Sequence, residues 1–310
     1  MIGFALEEVG MQRLAMIRRL FVLLLVVLGT VDTAAAQTPS LKILLTNDDG
    51  FEAAGLRILR DGLVAAGHQV TVSAPARDFS SAGASMTSGV IKIADHGSGI
   101  WSVEGTPADS AMVGLFKILR DSPPDLVVSG TNRGQNMGTG TNTSGTVGAA
   151  VTASNYGFPS IAVSAGISGN ADVLTAAYQR AADVTVQVIA ALDRSRPAGG
   201  KLLAAGLVLN INQPAIAADQ LKGVRFAKVS KKPSFTRRYL DTPNGDEVRA
   251  QLVPTQPGDE TDTDLALFSA GYTTISLLDG DWGVPDAAAA ATFERLAGVS
   301  LRTPTAAAGR

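Results

Sequence analysis

The sequence predicts an α/β protein: a doubly wound, mostly parallel sheet followed by a β-rich C-terminal extension. Three observations predict it. Short apolar runs that stop at polar or glycine residues recur at residues 41–46, 68–75, 125–130, 160–166 and 206–212. Stretches with apolar residues at helical spacing separate several of these runs. After Pro214 the alternation gives way to short alternating strands among loops rich in Pro, Gly, Asp and Thr.

The first run, LKILLT, is a buried strand ended by Asn47, Asp48, Asp49 and Gly50. Leu56, Leu59 and Leu63 follow at helical spacing, and Gly67 supplies the stop. HQVTVSAP is the second strand, ended by Pro75. GTPADSAMVGLFKIL begins a helix, with Thr106 as N-cap, Pro107 in the first turn and Asp109 completing a capping box. Met112, Leu115, Phe116 and Leu119 are its expected buried stripe. DLVVSG is the next buried strand, and a helix opened by Ser144 runs to Asn155. The strand SIAVSAG, a helix over about 173–192 and the strand GLVLNIN complete a core spanning residues 37–214. The extension, residues 215–302, holds the alternating KGVRFAKVS, the returning strand GYTTISLL and a last helix over 286–298. Residues 303–310 are expected to be a disordered tail.

Ahead of the core, Arg13, Arg18 and Arg19 precede the apolar run LFVLLLVVLG, and Ala34-Ala35-Ala36 stand before Gln37. A basic stretch, a short apolar segment and an A-x-A site predict a secretory signal peptide over residues 1–36, cut after Ala36. The apolar run is short for a membrane span, and a single N-terminal anchor is the alternative. Glu7 and Glu8 are unusual ahead of a signal, so Met11 or Met16 is the candidate start. The mature chain is expected in the periplasm, off the membrane.

Composition removes several function classes. A formal net charge of −2, with no long basic run, argues against coating DNA or RNA duplexes or charged membrane surfaces. The chain has no cysteine, so disulfides, thiolate metal sites and cysteine nucleophiles are excluded. Its two histidines make no obvious zinc site or Ser-His-Asp triad; His68 is expected to be structural and His96 solvent-exposed. Gly138-Thr139-Gly140 does not continue into a dinucleotide fingerprint, and neither a Walker sequence nor a G-x-S-x-G elbow is present. The aspartates of DTD, residues 262–264, follow a polar loop and are expected to be structural.

The adjacent acids carry the first chemical signal. Successive strand residues point to opposite faces, so Asp48 and Asp49 share a target only if the chain turns there, which Gly50 permits. A divalent cation would neutralise both. Without cysteine or a histidine cluster its ligands are oxygens, which suit Mg²⁺ or Mn²⁺. The plain alternative is that the acids cap the following helix. A second signal lies in the long Ser-, Thr-, Asn- and Gly-rich loop after Ser129. Ser144-Gly145-Thr146 opens a helix whose free N–H groups favour an anion such as phosphate. Acids for a cation beside amides for phosphate describe a phosphoryl-transfer site; a flexible connector is the alternative for the loop.

In this order, ILLTNDDG, GTPAD, VVSGTNRGQNMG, SGTVGAA, NINQP and GYTTISLL resemble the SurE family of survival-protein nucleotidases, from about residue 41 to 278. The resemblance implies a Rossmann-like domain with a β-rich extension exchanged between subunits, hence a homodimer or homotetramer. It implies a metal-dependent phosphatase acting on nucleoside 5′- and 3′-monophosphates, with one divalent ion per subunit. The family's metal ligands fall on Asp48, Asp49, Asn132 and a serine, where Gly83 and Thr87 align Ser80 and Ser81 is the near alternative. Its phosphate-contacting positions fall on Asn47, Asn136, Ser144, Gly145 and Thr146. Asp48, Asp49 and Asn136 are the implied catalytic residues. Ser110 replaces the usual cysteine after GTPAD, and the segments FEAAG and GTGTNTSGT also depart from the family pattern. These departures bear on substrate preference more than on the metal site. A non-catalytic periplasmic nucleotide- or phosphate-binding protein on the same scaffold is the rival expectation.

Overall fold

The computed structural model describes residues 40–258, 260–280 and 294–295. The expected signal peptide, the tail and all but two residues of the expected last helix lie outside them. β1 (Lys42–Thr46) is central, because four of its five residues are buried and it is covered on both faces. That is why it reads as a continuous apolar run. Ile43 and Leu45 pack into one core, while Leu44 packs with Leu115, Val127 and Ala153 on the opposite side.

β2 (Gln69–Pro75) and β5 (Leu126–Arg133) flank β1, both parallel to it. The sheet grows outward on one side through β4 (Ile100–Val103) and β3 (Ile93–Asp95). On the other side come β6 (Ser160–Ala165) and β7 (Leu207–Gln213), again parallel. β11 (Thr273–Asp279) then runs antiparallel to β7 and parallel to β8 (Val224–Ala227). The order is β3-β4-β2-β1-β5-β6-β7-β11-β8. The excursion after residue 215 therefore mostly completes the main sheet. Among the described residues, only β9 (Phe235–Asp241) and β10 (Val248–Pro254) leave it, as an antiparallel hairpin.

α1 (Ala54–Ala65) buries Leu56, Leu59 and Leu63 as the spacing predicts, and packs against α4 (Ala171–Ser195) on one face of the sheet. Gly67 stops it at φ +92°, where a side chain would strain the backbone. On the other face lie α2 (Pro107–Val113) and α3 (Gly145–Asn155). The capping box of Thr106 and Asp109 is present, with Pro107 in the first turn.

The stripe expected beyond α2 is corrected. The α-helix ends at Val113 and one π-helical turn follows over Gly114–Ile118. The wider turn shifts the register, so Leu115 is buried but Phe116 is 48% exposed, edge-on to Tyr156 and Phe158. Gly114 approaches β1 closely: a Cβ there would stand 2.6 Å from Leu44 Cδ1.

Candidate metal and phosphate site

The site forms beyond the carboxyl ends of the parallel strands, where open α/β sheets place their ligands. β1 stops at Thr46, and the buried Asn47 donates from Nδ2 to the Gly50 carbonyl at 2.9 Å, closing the turn. Gly50 has φ +103°. The Asn47 amide nitrogen thus holds the turn, while its Oδ1 is buried without a hydrogen-bond partner among the described residues. The two acids diverge as the chain turns. Asp48, 3% exposed, accepts a 2.6 Å hydrogen bond from the Thr146 hydroxyl. Asp49 accepts from the Arg133 backbone N–H at 2.8 Å. Neither caps α1, whose N-cap is Ala53 and whose first turn holds no acid.

Burial pushes the Asp48 carboxyl up to about 7; the Thr146 hydrogen bond opposes this and the charge of Asp49 adds to it. Burial also raises Asp49, with Asp78 adding repulsion and the Arg133 N–H opposing it. Among the described residues neither acid forms an ion pair. Both acids are desolvated, and the Arg133 charge offsets Asp49 only in part, so a cation would stabilise the site.

The neutral donors fit the same ion. Ser80 follows β2 and is exposed; its N–H is bonded to Asp78 at 2.7 Å, and its hydroxyl has no hydrogen bond among the described residues. The Ser81 hydroxyl instead accepts from Arg237 at 2.8 Å. Asn132 lies in β5 beyond a register shift against β6, and its Nδ2 donates to the Gly134 carbonyl at 2.7 Å. The amide nitrogen is thus committed, and Oδ1 is the atom left for a cation. No three His, Cys, Asp or Glu side chains gather as ligands among the described residues. Two carboxylates supplemented by hydroxyl, amide and water oxygens suit a hard divalent ion, and the residues present fit one.

Asp48, Ser80, Asn132, Asn136 and Ser144 line one cleft of about 160 Å³. Ser144 is the N-cap of α3, accepting from the Val147 N–H at 3.1 Å. Gly145 and Thr146 are buried behind it. Gly145 leaves room for the acid, since a Cβ would stand 2.8 Å from that of Asp48. The Thr146 hydroxyl is spent on Asp48, so only the backbone of these two residues remains for an anion.

The sequence reading missed how Asn136 is held. Its backbone N–H donates to Asn212 Oδ1 at 2.8 Å. Its carbonyl accepts from Asn210 Nδ2 at 2.8 Å and Asn212 Nδ2 at 3.0 Å. Its side chain donates to the Ser164 hydroxyl at 3.0 Å. Asn210 and Asn212 are fully buried on β7, two residues apart and so on one face. Their signal was a pair of carboxamides at i and i+2 ending an apolar strand. Asp264 pins the same loop. It opens α5 (Asp264–Ser269) and accepts from the N–H groups of Gly138, Ser230 and Leu265 at 2.8–2.9 Å. The expectation of a structural role for the DTD segment agrees with these bonds. His68 is buried and accepts from the Leu41 N–H, and the exposed His96 stacks on Phe51.

The family model described as "Survival protein SurE" matches residues 43–235. The chain belongs to the SurE family. The 5′-nucleotidase SurE of Clostridium botulinum (strain Alaska E43 / Type E3) is 33% identical, the match covering 78% of this chain and 94% of that protein. The 5′/3′-nucleotidase SurE of Proteus mirabilis (strain HI4320) is 37% identical over 78% of this chain and 91% of its own. Among solved structures, the SurE protein from Aquifex aeolicus superposes with a TM-score of 0.69 at 28% identity, covering 82% of this chain and 99% of that one. The SurE match spans every segment that lines the cleft up to the first residue of β9, and includes Asn210 and Asn212.

Proposed function

We propose that this SurE-family enzyme is a divalent-metal-dependent phosphomonoesterase, releasing phosphate from nucleoside 5′- and 3′-monophosphates. Nucleotidase activity is supported by family membership and by relatives matched over most of their length. The observation that carries the metal and phosphate reading is the convergence of Asp48, Ser80, Asn132, Asn136 and Ser144, from separate chain segments, on one cleft beside Asp49.

Asp48, Asp49, Ser80 and Asn132 would hold the cation, Mg²⁺ or Mn²⁺. When bound there it supplies Lewis-acid chemistry, drawing charge from a phosphate oxygen and making water a better nucleophile. Asn136 and the Ser144 helix start hold the phosphoryl group, and their donors are fixed before substrate arrives. The grip of Asn210, Asn212 and Ser164 on Asn136 supports that pre-organisation. The helix N-terminus favours a doubly charged terminal phosphate over a phosphodiester.

The proposal includes export, with residues 1–36 removed, and assembly as a homodimer or homotetramer. Exposed apolar residues on the hairpin, Tyr239 and Val248, support a contact between copies there. The gathering of the expected cation and phosphate residues on one cleft supports turnover over binding alone. Phosphate release from a panel of nucleoside monophosphates, with Mg²⁺, Mn²⁺ or chelator, tests the reading. Binding without turnover under every metal condition would refute it.

A further inference from the structure

We propose that the larger cavity adjoining the metal and phosphate cleft is the nucleoside subsite, and that Gln135 and Thr255 set its base preference. This rests on reading the adjoining cleft as the phosphate site. The cavity is about 590 Å³, within the range of small-molecule pockets. It shares Gln135, Ile167, Ser234, Phe235 and Leu252 with the cleft, so a molecule whose phosphate lies in one extends into the other.

The walls suit a flat ring with a polar edge. Phe235, Leu252 and Phe268 supply apolar and aromatic surface on which a base face can pack. Phosphate alone, or a polyphosphate chain, has no use for such a wall. Two lining residues carry unmet hydrogen-bonding capacity. Gln135 Oε1 and Thr255 Oγ1 are buried and have no partner among the described residues. Buried polar atoms are normally paired, and unpaired ones call for an account. Recognition of an occupant requires a side-chain rotation that turns these atoms towards it. A carboxamide presents both a donor and an acceptor, as does a hydroxyl, so the pair matches the edge of a nucleobase.

Their positions are held. Gln135 directly precedes the clamped Asn136. The Thr255 N–H donates to the Ser234 carbonyl at 3.0 Å, tying the base of the hairpin beside Phe235. The same hairpin sends Arg237 across to Ser81 at the rim of the metal cleft. One element thus borders both halves of the site.

The test pairs a nucleoside 5′-monophosphate with ribose 5-phosphate, which lacks the base, on the mature chain with Mn²⁺. Thr255→Val is isosteric, and Phe268→Leu keeps an apolar wall; melting curves check that both fold. The expected result is a KM for the nucleotide raised about tenfold, or about 1.4 kcal/mol, with kcat and the constants for ribose 5-phosphate little changed. Equal shifts for both substrates, or no shift for either, would overturn the proposal. A calorimetric titration of the metal-free protein with the four free nucleosides separates the two layers. Nucleoside binding weakened by Thr255→Val, in a protein that releases no phosphate, would sink the phosphatase reading and leave the subsite standing. No nucleoside binding up to millimolar concentration would overturn the subsite itself.

Discussion

The hydroxyl of Thr146 donates a 2.6 Å hydrogen bond to Oδ1 of Asp48, across 98 residues of sequence. It ties the end of β1 to the first turn of α3, and so the candidate metal ligand to the candidate phosphate helix. It is also the main interaction opposing the effect of burial on Asp48. Thr146→Val keeps the shape and removes the donor. Hydrogen bonds to charged groups contribute about 1.5–3 kcal/mol, so Mn²⁺ affinity should fall about tenfold to a hundredfold. Calorimetric metal titration checks this, and unchanged affinity would show that the bond does not orient the ligand.

The metal-free protein should carry a pH signature from Asp48. Its carboxyl is raised from 3.8 to about 7, so the folded state holds its proton more tightly than the unfolded chain. The resulting stability is full below pH 3.8 and is lost as pH rises through about 7. With chelator present, wild type should lose melting temperature between pH 5 and 8 relative to Asp48→Asn, which retains an acceptor but cannot ionise. Saturating divalent cation should raise the melting temperature more at pH 8 than at pH 5. Parallel profiles for the two proteins would contradict the shift.

His68 works in the opposite sense. Burial lowers its pKa below 6.5, and it accepts a hydrogen bond that protonation would abolish. Its contribution is present above pH 6.5 and declines as pH falls through 6.5 towards the lower folded value. His68→Asn preserves an acceptor near the ring Nδ1 position, so it should flatten this acid limb of the stability curve while changing neutral-pH stability by about 1 kcal/mol or less. An acid limb as steep as that of wild type would remove His68 from the account of acid stability.

Asn212→Leu tests the clamp on Asn136. It strips two hydrogen bonds from the backbone of one residue and leaves a part-buried N–H unpaired, at about 1–3 kcal/mol. Turnover should fall at least tenfold while Mn²⁺ affinity stays close to that of wild type, because the clamp acts on the phosphate loop and not on the acids. Loss of both in proportion would mean that the residue serves only the fold.

What was legible in the sequence was local or periodic. The run through β1 announces burial on two faces, Leu56, Leu59 and Leu63 announce a helix face, and Thr106, Pro107 and Asp109 announce a start within four residues. Ser144 was legible as a cap for the same reason. β3 and β4, three and four residues long, sit around a glycine-bearing turn and give too few residues for a period to show. Phe116 fits a helical stripe until a π turn, where α2 meets Leu44 through a glycine, moves it outward. In the site, the residue types were visible but their pairings were not. Arg237 meets Ser81 over 156 residues, Asp264 meets Gly138 over 126, and Asn212 meets Asn136 over 76. Only the folded sheet decides that Asn47 holds the turn at Gly50 and that Ser81 is engaged while Ser80 is open.

Export is tested separately. Protein recovered from the periplasmic fraction should begin at Gln37 on N-terminal sequencing. An intact N-terminus in the cytoplasm would contradict it.

Phosphate release from a nucleoside 5′-monophosphate by wild type and Asp49→Asn, with Mn²⁺ titrated from chelated to saturating, bears most directly on the proposed chemistry. The substitution removes one charge from the paired acids and leaves the shape of the turn intact. The expected result is metal-dependent release by wild type, none under chelator, and a folded variant whose metal affinity and turnover have both collapsed. Full activity in Asp49→Asn, or wild-type turnover that survives exhaustive chelation, would contradict a metal-dependent phosphatase built on Asp48 and Asp49.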